Sequence, residues 1–118
     1  MEQLISLLFL ARDIAHREHL RTDSYARHMA LGSFYDDIIE HADAIAEAYM
    51  GSYGVLSDFD ISPSKSSPEI IKELERHVTW IDTHRYKACS KDDTPIQNLI
   101  DGAVETYLST LYKLKRFK

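Results

Sequence analysis

Apolar residues recur at intervals of three and four along four stretches of the chain, which is the spacing typical of amphipathic helices. The first predicted helix runs from about Glu2 to His19 or Leu20. The second runs from about residue 24 to residue 50, and its apolar positions keep this spacing over five turns. Those positions are Leu31, Tyr35, Ile38, Ala42, Ile45 and Tyr49.

Capping residues mark where the predicted helices begin and end. Residues 22–24 (Thr-Asp-Ser) are all good N-caps for the second helix, and Gly51 is its predicted C-cap, because glycine takes the left-handed conformation without strain. The third helix is predicted to begin at residues 66–69 (Ser-Ser-Pro-Glu) and to reach about Lys87. Residues 94–97 (Thr-Pro-Ile-Gln) predict the start of the fourth, as a capping box with proline at the first helical position.

A long connection separates the second and third predicted helices. Residues 51–66 carry glycine, proline and serine, and four apolar side chains are expected to pin the segment to the helices. These are Val55, Leu56, Phe59 and Ile61. No alternation with a period of two is long enough for a strand. The pattern therefore predicts an all-α, ferritin-like four-helix bundle, one domain over residues 1–118, with a long crossover between the second and third helices.

The composition of the chain indicates its cellular compartment and the classes of partner that it can bind. The chain of 118 residues is 44% hydrophobic, which is enough for a single core. A formal net charge of -5, with acids spread along the chain, disfavours nucleic acid as the main partner. The basic residues at 113–118 are interpreted as cations that complement a helix C-terminus. A single cysteine, Cys89, excludes an intrachain disulfide, and no signal peptide or membrane-spanning run is visible, so the sequence predicts a cytoplasmic protein with no membrane contact.

The second predicted helix carries a histidine and two carboxylates that are candidate metal ligands. Asp43 follows His28 by fifteen residues, and Glu47 lies one further turn along the same face. Two carboxylates so placed can share a hard cation through their oxygens. Fifteen residues of helix span roughly 22 Å, so His28 cannot join them within one chain. It can do so only if a second copy packs antiparallel across a two-fold axis, which predicts at least a two-fold dimer.

The first predicted helix offers two candidates for a second histidine ligand. His16 precedes His28 by twelve residues and His19 precedes it by nine. His19 continues an apolar stripe and is expected to face the core, so geometry favours it slightly, whereas His16 is more peripheral. An alternative is that His28 is simply hydrogen-bonded at a helix start. The two carboxylates also fit a solvated acidic face, which comprises Asp36, Glu40, Asp43 and Glu47.

The spacing of His28, Asp43 and Glu47 resembles that of the Dps-type mini-ferritins. In that family a histidine, an aspartate and a glutamate form an iron-oxidising site shared between two subunits. The family's earlier histidine falls twelve positions upstream, which is His16 here. The segment between the two family histidines is aromatic and contains glycine, whereas residues 17–27 here differ, so His19 stays an alternative first ligand. The resemblance implies iron or another divalent metal as cofactor and ferroxidase-like oxidation as the activity.

Longer phrases of the chain resemble a group of small tailed-phage proteins of unknown function. They are HLRTDSYARHMAL at 19–31, FYD at 34–36, EAYMG at 47–51, TPIQN at 94–98 and LSTLYKL at 108–114. This resemblance implies a phage origin, action in the host cytoplasm and a ferritin-like bundle, without an established activity. Glycine-rich phosphate loops and serine nucleophile motifs are absent, so metal-dependent oxidation is the enzymatic hypothesis. The other hypothesis is a non-enzymatic helical interaction protein that binds a host or phage protein.

Overall fold

Four α-helices account for most of the chain. The computed structural model describes residues 1–61 and 69–118. The helices are α1 (Glu2–Arg21), α2 (Tyr25–Tyr53), α3 (Ile70–Ala88) and α4 (Thr94–Arg116). The described residues include no strand, so the predicted all-α class is confirmed. None of the described helices is long and apolar enough to cross a membrane.

The four helices pack in a ring in which each contacts two others. α1 lies against α2 and α3, and α4 lies against the same two helices. The short turn at residues 22–24 makes α1 and α2 antiparallel. Arg85 near the end of α3 donates to Gln97 near the start of α4, and Tyr53 at the end of α2 donates to Asp93 just before α4. These contacts make α4 antiparallel to both α2 and α3, so α1 and α3 also run antiparallel.

The core lies between the four helices and is centred on two buried aromatic rings. Phe34 of α2 and Tyr107 of α4 meet edge to face, with ring centroids 5.0 Å apart. Each fully buried aliphatic side chain around them contributes roughly 1.5–3 kcal/mol to folding. The set includes Leu4, Ile5, Leu8, Leu31, Ile38, Ile45, Leu74, Ile81 and Ile96.

The C-cap of α2 lies three residues beyond the predicted one. The helix continues through Gly51 to Tyr53, and Gly54 is the C-cap, with a φ of 94° and its backbone N–H donating to the carbonyl of Met50. The prediction of Gly51 as the cap was therefore wrong. The physical reason is tertiary, because the hydroxyl of Tyr53 donates to Asp93 at 2.5 Å and so holds the last turn of α2 against the start of α4.

The starts of α2 and α4 lie within one residue of their predicted positions. Ser24 caps α2, and its hydroxyl accepts from the backbone N–H of Arg27 at 3.2 Å. The N-cap of α4 is Asp93 rather than the predicted Thr94, and its carboxylate accepts from the N–H of Ile96. The predicted start of the third helix falls mostly on residues 66–68, which lie outside the described residues.

The described part of the connection after α2 follows α1. The backbone N–H of Ser57 donates to the carboxylate of Glu2 at 2.8 Å. Further along, the ring of Phe59 meets Phe9 edge to face, with centroids 5.6 Å apart. The chain therefore proceeds along α1 in the direction of that helix as it leaves α2.

Only two of the four apolar side chains expected to pin this connection do so. Leu56 and Phe59 pack against the core, whereas Val55 and Ile61 are exposed. The expectation was wrong for the latter two because the backbone follows the surface of α1. Isolated apolar residues are common on protein surfaces, so these two positions need no partner.

Candidate functional site

Three histidines meet where α1 turns into α2. The rings of His19 and His28 stack, with centroids 3.7 Å apart and an angle of 18° between their planes. The ring of His16 lies 6.1 Å from that of His19 and stacks on Tyr35, at 4.1 Å and 9°. These four residues are called the histidine cluster below.

The tight turn between the two helices creates the cluster. The N–H of Thr22 donates to the carbonyl of Glu18 and ends α1, while the N–H of Ser24 donates to the hydroxyl of Thr22. Ser24 then caps α2, so only three residues separate the helices. The last turn of α1 consequently lies beside the first turns of α2, which brings His19 against His28.

Each stacked histidine donates a hydrogen bond to the other's backbone. Nδ1 of His19 lies 2.5 Å from the carbonyl oxygen of His28, and Nδ1 of His28 lies 2.7 Å from the carbonyl oxygen of His19. A carbonyl oxygen can only accept, so both rings carry a proton on Nδ1. In the neutral ring Nε2 then keeps a lone pair. Protein ligands to metals are commonly oriented by such a bond from the other ring nitrogen.

The stack limits which histidines can share an ion. A histidine binds a metal along a lone pair in its ring plane, at about 2.0–2.1 Å. Two nearly parallel planes 3.7 Å apart do not converge on one such position, so His19 and His28 cannot both bind the same ion. His16 is exposed, and its ring is tilted by 58° from that of His19. Of the two histidines of α1, His16 is therefore the one whose ring does not stack on His28, whereas the sequence slightly favoured His19.

The candidate carboxylates lie well away from the histidine cluster. Asp43 and Glu47 are exposed and more than four turns along α2 from His28, which is roughly 22 Å or more in a continuous helix. Within residues 1–61 and 69–118, no group of three or more histidine, cysteine or acidic side chains is close enough to hold a metal ion. Within one copy of the chain, the candidate histidines and the candidate carboxylates therefore lie far apart.

His28 and Asp43 lie on one stripe along the surface of α2. At 100° per residue, His28, Gly32, Ile39, Asp43 and Ala46 fall within about 60° of the helix circumference. Gly32, Ile39 and Ala46 recur every seven residues and are only partly buried. The sequence reasoning missed this stripe, although the seven-residue spacing was there to find. At His28 and Gly32 the stripe is covered by the His19 ring of α1, whereas Asp43 is exposed.

Gly32 also has a role within the chain that the sequence reasoning missed. A Cβ at this position would lie 3.0 Å from Cε1 and 3.1 Å from Nδ1 of His19. Such distances are tighter than ordinary van der Waals contact. The absence of a side chain therefore allows the His19 ring to lie directly against α2.

The remaining histidines have structural partners of their own. His77 is buried, and its Nδ1 lies 3.0 Å from the hydroxyl of Tyr107. Burial lowers the pKa of His77 to about 4, so its ring is neutral in the core. His84 donates to the backbone carbonyl of Trp80 and stacks on its indole, and His41 bonds a threonine hydroxyl of α4.

These features define an all-helical protein with four packed helices and a histidine cluster at the turn between the first two. The chain belongs to a family described as a family of unknown function (DUF5856), whose profile matches residues 19–114. Comparison with curated proteins finds no match, and neither does comparison with solved structures. The matched region contains His19, His28, Asp43 and Glu47, whereas His16 precedes it.

Proposed function

We propose that the chain forms a two-fold dimer through the stripe on α2 and binds a divalent metal, for which iron is our expectation, at two identical shared sites. In each site His16 and His28 come from one subunit, and Asp43 and Glu47 come from the other. The observation that carries this proposal is the bond from Nδ1 of His28 to the carbonyl of His19, because it leaves Nε2 of His28 available as a ligand.

One antiparallel register pairs the candidate ligand positions of two α2 helices. A pairing that sets His28 opposite Asp43 also sets Gly32 opposite Ile39 of the other copy. The partly buried Ile39 side chain of the other copy then lies beside the His19 ring, which covers Gly32 within its own chain. A two-fold axis repeats each contact, so one such pairing forms both sites.

The donor set suits a transition metal of intermediate softness. Two imidazole nitrogens with two carboxylates are appropriate for Fe(II), with open positions left for small molecules. When bound, the iron would supply ferroxidase-like electron transfer to an oxidant. The chain's own residues orient the ligands: His28 through its bond to the carbonyl of His19, and His16 through its stack on Tyr35.

The path of the chain supports a ferritin-like bundle with a long crossover as the scaffold for this site. α1 and α2 are joined by a short turn, whereas the connection from α2 to α3 begins along α1. α4 is antiparallel to both of its neighbours in the ring.

We further propose that the protein is encoded by a phage and acts in the host cytoplasm.

Mass and metal content test the dimer and its sites directly. The protein is purified without chelator, loaded with Fe(II) under anaerobic conditions, and measured by sedimentation velocity and elemental analysis. We expect a dimer with stoichiometric iron, and oxidation of Fe(II) above the buffer rate when air is admitted. A monomer at every concentration, or no stoichiometric iron, would exclude the proposal.

Subunit mixing tests whether each site is shared. One variant carries His16→Ala and His28→Ala, and the other carries Asp43→Asn and Glu47→Gln. Neither binds iron alone. After unfolding and refolding together, half of the dimers are mixed and each mixed dimer has one complete site, so about a quarter of the wild-type sites return. His84→Ala serves as the control and retains full binding. No recovery on mixing would show that the sites are not shared.

A second candidate function rests on an exposed apolar groove between the first turns of α2 and the end of α4. Tyr25, Met29 and Phe117 line a cleft of about 350 Å³ together with Lys113. Tyr25 is 76% exposed. Aromatic and methionine side chains beside a cation would suit an acidic, amphipathic segment of a host or phage protein.

A designed peptide tests this second candidate. The probe is an amphipathic helix with leucine on one face and glutamate elsewhere, and its binding is followed by fluorescence anisotropy. We expect saturable binding that is weakened by Tyr25→Ala and by Lys113→Glu but not by Asp43→Asn. If neither Tyr25→Ala nor Lys113→Glu weakened binding, the groove would be excluded as the binding site.

A further inference from the structure

We infer that His19 is a positioning residue that fixes the ring of His28, and that Gly32 is required because His19 occupies the space of its side chain. These three residues are called the latch. Its role in metal binding rests on the proposed function, whereas the latch itself is a property of a single chain.

The two hydrogen bonds of the latch fix the orientation of His28. Nδ1 of His28 donates to the backbone carbonyl of His19, and Nδ1 of His19 donates to the backbone carbonyl of His28, while the two rings stack. Flipping the His28 ring by 180° would put a carbon where Nδ1 now donates and would lose that bond. The latch thus selects one ring orientation and one tautomer, with Nε2 free.

Gly32 lies where the His19 ring meets α2. In the helix the carbonyl of His28 accepts from the N–H of Gly32, and it also accepts from Nδ1 of His19. The His19 ring must therefore lie beside the turn that ends at Gly32. A Cβ at residue 32 would approach the ring to 3.0 Å. The ring cannot simply retreat, because His28 stacks on it and the Tyr35 ring meets it edge to face, with centroids 5.3 Å apart.

The consequence for a metal site concerns affinity rather than the identity of the ligands. His19 does not bind the ion, but it holds His28 in the form that can. Loss of a partner that orients a ligand typically weakens metal binding about 10–100-fold. We expect a loss in this range when the latch is broken while His28 remains.

Histidine NMR tests the latch without any metal. Long-range ¹H–¹⁵N correlation spectra of labelled protein at pH 8 distinguish the two neutral tautomers. In the wild type, we expect His19 and His28 both to be protonated on Nδ1. His19→Phe keeps a stacked ring and the backbone carbonyl of residue 19, but it loses the bond from Nδ1 to the carbonyl of His28 that ties α1 to α2. We expect the carbonyl of residue 19 then to hold His28 less firmly, so that His28 becomes a mixture of tautomers. His84→Phe is the matched control, because His84 also donates to a backbone carbonyl and stacks on an aromatic ring; it should leave the His28 signals unchanged.

A double-mutant cycle tests the claim about Gly32. Alanine favours helix over glycine, so Gly32→Ala should raise Tm when nothing opposes the methyl group. We expect Gly32→Ala to lower Tm in the wild type and to raise it in the His19→Ala background, where the ring is gone. A rise in both backgrounds, or an Nδ1-protonated His28 that persists in both His19→Phe and Gly32→Ala, would overturn the inference.

A Zn(II) titration separates the latch from the proposed function. With His19→Phe we expect about 10–100-fold weaker Zn(II) binding than in the wild type, with the dimer intact. If neither protein binds Zn(II) or Fe(II), the proposed function fails, and the NMR and Tm results still decide the latch. If both bind Zn(II) equally, the positioning role of His19 is excluded.

Discussion

At the scale of single residues, the buried pair of His77 and Tyr107 shows how the core sets protonation. The His77 ring is almost fully buried, and its hydrogen-bond partner among residues 1–61 and 69–118 is the Tyr107 hydroxyl. Burial lowers the pKa of His77 to about 4 and raises the pKa of Tyr107 well above its usual value. Both groups are therefore neutral near pH 7, and the pair adds polarity to the core without charge.

The pKa of His77 predicts a loss of stability in mild acid. Its unfolded value is near 6.5 and its folded value is about 4, so between these pH values the unfolded chain binds a proton that the folded chain does not. The free energy of unfolding should therefore fall as the pH is lowered from 6.5 to 4, by about 3 kcal/mol from this group. Urea denaturation across this range measures the effect.

The control for this prediction replaces both partners, so that no buried polar group is left alone. His77→Leu combined with Tyr107→Phe should show a shallower dependence of the free energy of unfolding on pH between 6.5 and 4. The other histidines contribute equally to both proteins and cancel in the difference. Identical pH profiles would show that His77 is not the group responsible.

At the scale of helices, the two glycines near the end of α2 have opposite roles. Gly51 lies inside the helix, and a Cβ there would meet nothing within 4 Å, whereas Gly54 has a φ of 94°. We expect Gly51→Ala to stabilise the protein by up to about 1 kcal/mol, through helix propensity and reduced freedom of the unfolded chain. Gly54→Ala should cost roughly 1–3 kcal/mol because the backbone there is strained for any side chain. Chemical denaturation of the two variants should give shifts of opposite sign; shifts of the same sign would contradict the assigned helix end.

The start of α4 gives a second prediction at this scale. Asp93 caps the helix and accepts from Tyr53, so Asp93→Ala should cost about 1 kcal/mol for the cap, with a further contribution from the lost contact to α2. Thr94→Ala should change stability by less than about 0.5 kcal/mol, since Thr94 is already inside the helix. Asp93→Asn is the matched control, because asparagine also caps well. If Thr94→Ala were the costlier change, the cap would be at Thr94 after all.

At the scale of the whole molecule, the proposed dimer depends on the stripe along α2. Ile39→Glu places a charge in the middle of that stripe without entering the core, because Ile39 is only partly buried. We expect this variant to be monomeric by sedimentation, to keep its helical circular dichroism, and to lose metal binding. The matched control is Leu108→Glu, at a position 53% exposed on α4, which should remain dimeric. A dimeric Ile39→Glu protein would place the interface elsewhere.

The existence and the positions of the helices could be predicted from the sequence alone, because apolar periodicity and capping depend on residues only three or four positions apart. Ser24 was among the predicted caps of α2, and the histidine and carboxylate candidates could be named from spacing. The errors at Gly51 and Thr94 were of one to three residues, and both lie where a contact between distant residues decides the outcome. Tyr53 reaches Asp93 across forty positions of the chain, and no local pattern encodes that contact.

How the candidate histidines pack against one another could be seen only in the tertiary structure. Periodicity gave His19 the more favourable position, because a helix face is defined by its own residues. The packing of α1 on α2 then stacked His19 against His28, so these two rings cannot converge on one ion, and it left His16 exposed beside Tyr35. The sequence by itself determined four helices and a set of candidate ligands. The tertiary structure decided how the candidate histidines are arranged, because ring stacking, hydrogen bonds to carbonyls and the space beside Gly32 exist only once the helices pack.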